Sequence, residues 1–159
     1  MRLPVAVMII ASAMLSGCGV ARSMDTDYGK MNMTGGFSEK EVEPGVWRVI
    51  GRSNGVVRRG FGRDMAVYRA AEIMRQKGFS TFHVLDQKGE AKTVRINGGS
   101  PHSAGEYFKI WIVGDDGGGR PACRSEEPGH CMTLDVGQIM ALLGPELDVD
   151  PALPVRPAG

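Results

Sequence analysis

One change of hydrophobic period limits what this chain can fold into more than any other feature. Across residues 46–52 the side chains alternate, with Trp47 and Val49 on one side and Arg48, Ile50 and Arg52 on the other, the pattern of a half-buried strand. Across residues 64–77 the spacing becomes helical. Ala66, Ala70, Ile73 and Met74 form one stripe, with Arg69, Glu72 and Gln76 mainly opposite. Asp64 is the expected N-cap, Arg75 and Lys77 suit the C-terminal dipole, and Gly78 stands where a C′ glycine belongs. Alternation then returns. Residues 79–85 read as a strand with Phe82 and Val84 on one face, and residues 92–96 as a weaker one with Val94 and Ile96 inward. After a Gly/Ser/Pro loop at 97–105, residues 107–113 make the clearest strand, with Phe108, Ile110 and Ile112 on one face. Residues 134–143 read as a second helix, capped by Thr133 or Asp135 and stopped by Gly144-Pro145. The expected fold is α+β: a small two-layer sandwich, a sheet of three to four strands with two helices on one face, in β-α-β-β-β-α order.

The N-terminus carries a different kind of information. Arg2 precedes an almost wholly apolar run over residues 3–15, and Leu15-Ser16-Gly17-Cys18 closes it. A transmembrane span needs about 20 apolar residues; this run is shorter and contains Pro4. Charge, short apolar run and small residues before a cysteine are the layout of a bacterial lipoprotein signal peptide. Residues 1–17 are therefore expected to be removed and Cys18 to be lipidated (palmitate among its acyl chains), becoming the first mature residue. Gly19 follows where an Asp favours inner-membrane retention in many Gram-negative lipoproteins, so the resemblance implies the outer membrane, with the body facing the periplasm. Residues 18–43 then read as the lipidated cysteine and a flexible tether, 44–147 as one periplasmic α/β domain, and 148–159 as a disordered tail with Pro151, Pro154 and Pro157.

The address explains the cysteine count. With Cys18 given to lipid, Cys123 and Cys131 remain in an oxidising compartment, and a disulfide between them contributes roughly 2–3 kcal/mol by loop closure. A metal site using both thiolates with His130 and His102 is the competing reading, but seven residues separate the cysteines where structural zinc sites favour spacings of about two to four. Loss of Arg2 leaves equal numbers of basic and acidic residues in the mature chain. That balance and the compartment argue against nucleic acid as a partner.

Motifs for catalysis are weak. Gly60-Phe61-Gly62 lacks the spacing of a dinucleotide fingerprint, and Gly117-Gly118-Gly119 follows a strand without opening a helix, so both read as turns. Ser100, His102 and Ser103 sit in a loop without a nucleophile elbow. His83 alternates within a strand and reads as a surface or edge side chain, and Asp115-Asp116 lacks the ligand order of a calcium loop. The arginines are the more suggestive remainder. Arg48, Arg52, Arg58, Arg59 and Arg63, followed by Arg69 and Arg75, face only Asp64 and Glu72 in the same stretch. Gathered on one face, the first five form a candidate contact for an anionic surface.

Residues 36–86 carry a family resemblance. Gly36-Phe37-Ser38-Glu39, Pro44, Trp47-Arg48-Val49, Asn54-Gly55, Tyr68-Arg69-Ala70-Ala71-Glu72 and Gly78-Phe79 leading to Leu85-Asp86 resemble a family of small uncharacterised outer-membrane lipoproteins of alphaproteobacteria and some other Gram-negative bacteria. The resemblance implies a tether followed by one periplasmic α/β domain and attaches no activity. The expected function is a non-catalytic envelope module with a structural, interaction or sensing role, needing no cofactor or metal. Its expected partners are the membrane, through the lipid anchor, and an envelope protein, lipopolysaccharide or the cell wall. The alternative is a periplasmic lipoprotein that binds a small ligand or metal through the His102 and Cys123–Cys131 loops.

Overall fold

The computed structural model describes residues 25–150. Gly36–Glu43 (β1) and Val46–Asn54 (β2) form an antiparallel hairpin turned at Gly45, whose φ of 77° suits glycine. Phe61–Gln76 (α1) crosses over to Thr81–Arg95 (β3), which forms a long hairpin with Pro101–Gly114 (β4). Thr133–Asp135 (β5), Val136–Leu143 (α2) and a single 3-10 turn at Pro145–Leu147 follow. The sheet order is β1-β2-β4-β3-β5, and every neighbouring pair is antiparallel. With β4 inserted between β2 and β3, α1 spans a gap in the strand order and covers one face of the sheet.

This corrects the expected two-layer α+β sandwich of three to four strands with two helices on one face. The protein is mostly β, a curled five-stranded antiparallel sheet with two short helices, ordered β-β-α-β-β-β-α and ending in the 3-10 turn.

Three local reasons account for the difference. The first is β1, which lies in residues read as tether. Its helix-facing side carries Phe37, Glu39 and Glu41, and an inward carboxylate hides the alternation until its partner is known. Phe37 is only 1% exposed, and Tyr28, also from the supposed tether, is buried beside it.

The second is β3, which joins the two segments expected as separate strands. Its helix-side residues Gln87, Gly89 and Ala91 lack apolar bulk because the outer part of this hairpin is exposed. Gly89 opposes Phe108, and a Cβ there would lie 3.0 Å from the ring, so the glycine makes room for its cross-strand aromatic neighbour. The expected 97–105 loop shrinks to a turn containing Asn97 and Gly98, both with positive φ. The third is β5, which takes the residues expected to cap the second helix. Asp135 still caps α2, its carboxylate accepting the Gln138 N–H at 2.7 Å.

Helix α1 begins before the expected Asp64 cap. Gly60 is the N-cap, and its N–H is received by both Glu106 carboxylate oxygens at 2.7 and 2.8 Å. The C-terminus follows the expected pattern. Gly78, at φ 86°, donates to the Arg75 carbonyl and Phe79 to the Met74 carbonyl, closing a Schellman motif. The helix lies so close to β2 that a Cβ on Gly51 would sit 1.9 Å from the Gly62 carbonyl oxygen. Ala66, Ala70 and Ala71 keep that approach possible, with Val49, Ile110, Ile112, Phe82 and Val84 beneath. Arg69 and Glu72, expected on the solvent side, are buried as well. Residues 25–37 cover that side of the helix and leave it enclosed nearly all round.

Candidate functional site

Two polar constellations invite a functional reading, and burial separates them. Around α1, the Arg69 guanidinium reaches Glu72 at 2.8 Å and Glu39 at 3.0 Å and lies over the Phe37 ring at 4.8 Å. Tyr28 donates its hydroxyl to Glu72 at 2.5 Å. Burial, reinforced by the Glu72 charge, pushes the Tyr28 pKa well above its ordinary value. Burial opposes the Arg69 charge, but hydrogen bonds to Glu39 and Glu72 outweigh it and raise the pKa. Every member is enclosed, so no substrate reaches this group; it joins β1 and the residues before it to α1.

The second constellation lies on the sheet face that α1 leaves uncovered. Strand alternation and register place Lys40, Arg48, Arg52, Lys88, Lys92 and Lys109 together on that face. Asp86 and Glu90 oppose them in the same rows, while Glu43, at the margin, is held by Arg124 through two bonds of 2.7 Å. Tyr107 and Trp111 flank Lys109, whose ammonium lies 5.5 Å from one ring centroid and 5.4 Å from the other. Near the chain's N-terminal approach this face sinks into a hollow of about 430 Å³, lined by Met31, Met33, Ile50, Arg52, Lys92 and Tyr107 among others. Met33 is 99% exposed at its edge. The arrangement offers aromatic and apolar surface ringed by cations, chemistry suited to an anionic partner with an apolar part.

The five arginines of the expected contact do not gather. Arg48 and Arg52 stand on the open face, whereas Arg58, Arg59 and Arg63 belong to the turn and first residues of α1, on the helix side. There Arg58 binds Asp64 at 2.7 Å and Glu146 at 3.4 Å, and Arg63 binds Asp64 at 3.1 Å. The lysines that complete the open face were missed at the level of sequence because they come from three other strands. One signal was legible: if Phe108, Ile110 and Ile112 face in, then Tyr107, Lys109 and Trp111 face out.

Cys18 lies outside the described residues. Cys123 and Cys131 form the expected disulfide, with Cα atoms 5.7 Å apart. Their loop docks on the β3 bulge, where the Arg124 N–H donates to Leu85 and the Val84 N–H to Met132, at 2.9 and 2.8 Å. His102 pairs with Val94 near the far end of the same hairpin, roughly 30 Å along the strand at about 3.3 Å per residue. The His102 and cysteine loops therefore do not converge. His130 is within 3.0 Å of Glu127 and 3.1 Å of Ser125, and no group of three metal-ligating side chains occurs among the described residues.

His83 is buried, between Thr133 at 2.9 Å and Asp115 at 3.5 Å. The Asp115 carboxyl is held below its ordinary pKa chiefly by the Gly117 N–H and next by the Thr81 hydroxyl. Asp115 and Asp116 each close a local turn, onto the Gly117 and Gly118 amides. Of the two glycine segments expected as turns, Gly117 and Gly118 lie in a bend and Gly60 in a turn, whereas Phe61 and Gly62 are the first residues of α1. Among the described residues no helix is long and apolar enough to cross a membrane. No protein-family model, curated protein or solved structure matches this chain.

Proposed function

We propose that this is a non-catalytic envelope lipoprotein, anchored in the outer membrane through Cys18 with its domain facing the periplasm. In this reading the open face of the sheet is the working surface. The observation that carries it is the Tyr107–Lys109–Trp111 row, set among five further cations on the face that α1 leaves uncovered. Six cations against Asp86 and Glu90, on an aromatic floor, give a positive excess that suits recognition of an anionic partner. The Leu15-Ser16-Gly17-Cys18 motif supports the anchor, and the Cys123–Cys131 bridge fits an oxidising compartment. The resemblance of residues 36–86 to small outer-membrane lipoproteins supports the same address.

Fractionation tests the anchor. The wild-type chain is expected with the outer membrane and Cys18→Ala in the soluble periplasmic fraction; unchanged membrane association of the variant refutes lipidation. A photo-crosslinker tests the surface. Placed at Ile50 it is expected to give adducts in intact cells, and placed at the exposed Leu142 on α2 it is not. Equal yields at both positions rule out the open face as the working surface.

A further inference from the structure

The folded chain begins much closer to the proposed anchor than a long tether implies. Thr26 already belongs to the fold: it is buried, accepts the Asn54 N–H at 3.0 Å and donates to Thr34 at 2.6 Å. Only residues 19–24 intervene between Cys18 and Asp25. A fully extended chain of that length spans at most about 25 Å. A domain on so short a lead stays against the bilayer, and its charge distribution decides which side it presents.

That distribution is uneven. The open face carries six cations against Asp86 and Glu90, with the hollow and the exposed Met33 near the N-terminal approach. On the helix side Arg58, Arg59 and Arg63 stand beside an acidic cluster near the two ends of the described chain, Arg58 bonding Glu146. There Asp25, Asp27, Glu146, Asp148 and Asp150 line a crevice with Phe61 and Leu147. A negatively charged membrane surface attracts the first face and repels the acidic crevice. The aromatic pair suits the same setting, since Tyr and Trp favour the boundary between headgroups and hydrocarbon.

From the short lead and this charge asymmetry we infer that the open sheet face lies on anionic phospholipid headgroups of the membrane that holds the anchor. The cations meet headgroup phosphates, and Met33, Ile50, Tyr107 and Trp111 meet the interfacial layer. The inference rests on the anchored reading above. It adds an orientation: the sheet lies toward the bilayer, α1 and α2 face away from it, and the lead joins at the end of β2, where Thr26 bonds Asn54 and Thr34.

The test uses the processed, full-length protein reconstituted into phosphatidylcholine vesicles, with or without added phosphatidylglycerol. Acrylamide quenching of tryptophan fluorescence reports Trp111, because Trp47 is buried; a Trp111→Phe control removes its share. Phosphatidylglycerol is expected to reduce quenching of Trp111 by about twofold or more, and high salt or the Arg52→Glu/Lys109→Glu double variant to restore it. Equal quenching in both vesicle types overturns the inference, as does protection that survives charge reversal. Protection that appears equally in phosphatidylcholine and grows with protein-to-lipid ratio assigns the face to a second copy instead, and also overturns it. The mass of the purified protein reports the anchor separately. If acyl groups are absent the anchored reading fails, and co-sedimentation of the unacylated protein with phosphatidylglycerol vesicles decides the face: binding supports headgroup contact and no binding overturns it.

Discussion

Arg69 and Arg52 stand on opposite sides of the same sheet, and the contrast between them separates architecture from surface. Arg69 is fully enclosed, bonded to Glu39 and Glu72 and stacked on Phe37. Arg52 is exposed, in a row with Tyr107 and Glu90. Burial turns a charge into a structural commitment, because removing one partner leaves the others desolvated and unpaired. Exposure leaves a charge available to a partner and contributes little to stability. Sequence stretches rich in arginine therefore need to be sorted by side before function is assigned to them.

The comparison can be broken most forcefully at Arg69. Arg69→Met strands Glu39 and Glu72 in the interior and is expected to cost about 3–5 kcal/mol in urea unfolding; a loss under about 1 kcal/mol means that the site is not the closed network described. Next comes the disulfide loop, which docks on β3 apart from both arginines. Replacing Cys123 and Cys131 together by serine is expected to cost about 2–3 kcal/mol, and reductant should have the same effect on the wild type. Tyr28→Phe removes one hydrogen bond to a buried carboxylate and is expected to cost about 1.5–3 kcal/mol. Its loss should shrink in an Arg69→Met background if the two belong to one network.

A smaller, local effect depends on pH. The Arg124 hydrogen bonds hold the Glu43 carboxyl below its ordinary pKa, as the Gly117 amide and Thr81 hydroxyl do for Asp115. Carboxyls depressed in the folded state stabilise it above the unfolded carboxylate pKa, and that contribution is lost as pH falls through the folded pKa. Hydrogen exchange at the Arg124 amide should therefore accelerate only below the ordinary carboxylate range, and Arg124→Gln should let the acceleration begin at higher pH. The smallest effect is expected on the open face. Arg52→Glu and Lys109→Glu should each change unfolding free energy by less than about 0.5 kcal/mol. A large loss at either would move that side chain from surface to architecture.

The same contrast shows what sequence reasoning reached. The core of β2, the middle of β4, the glycine exit of α1 and the cysteine pair were legible because each rests on local pattern: alternation, a left-handed cap, or two leftover thiols in one loop. β1 was not, because Phe37 is followed inward by Glu39, whose burial makes sense only with Arg69 opposite, 30 residues away in the chain. Nor was the continuity of β3, where Gly89 substitutes for an apolar residue because Phe108 fills its place. The open face was half legible. Arg48 and Arg52 stood out by sequence proximity, but Lys40, Lys88, Lys92 and Lys109 join them only through strand order.

Strand order also governs when the sheet can form. β4 is the neighbour of both β2 and β3, so pairs such as Val49 with Ile110 close across the whole α1–β3 segment. A chain emerging from its N-terminus can make the β1–β2 hairpin early, since that contact is local. Until residues 105–114 arrive, β2 has a bare edge and the floor beneath α1 is incomplete. The domain is thus a late closer. Truncation before Gly114, or arrest of the chain during synthesis, leaves a sticky hairpin instead of a smaller version of the fold.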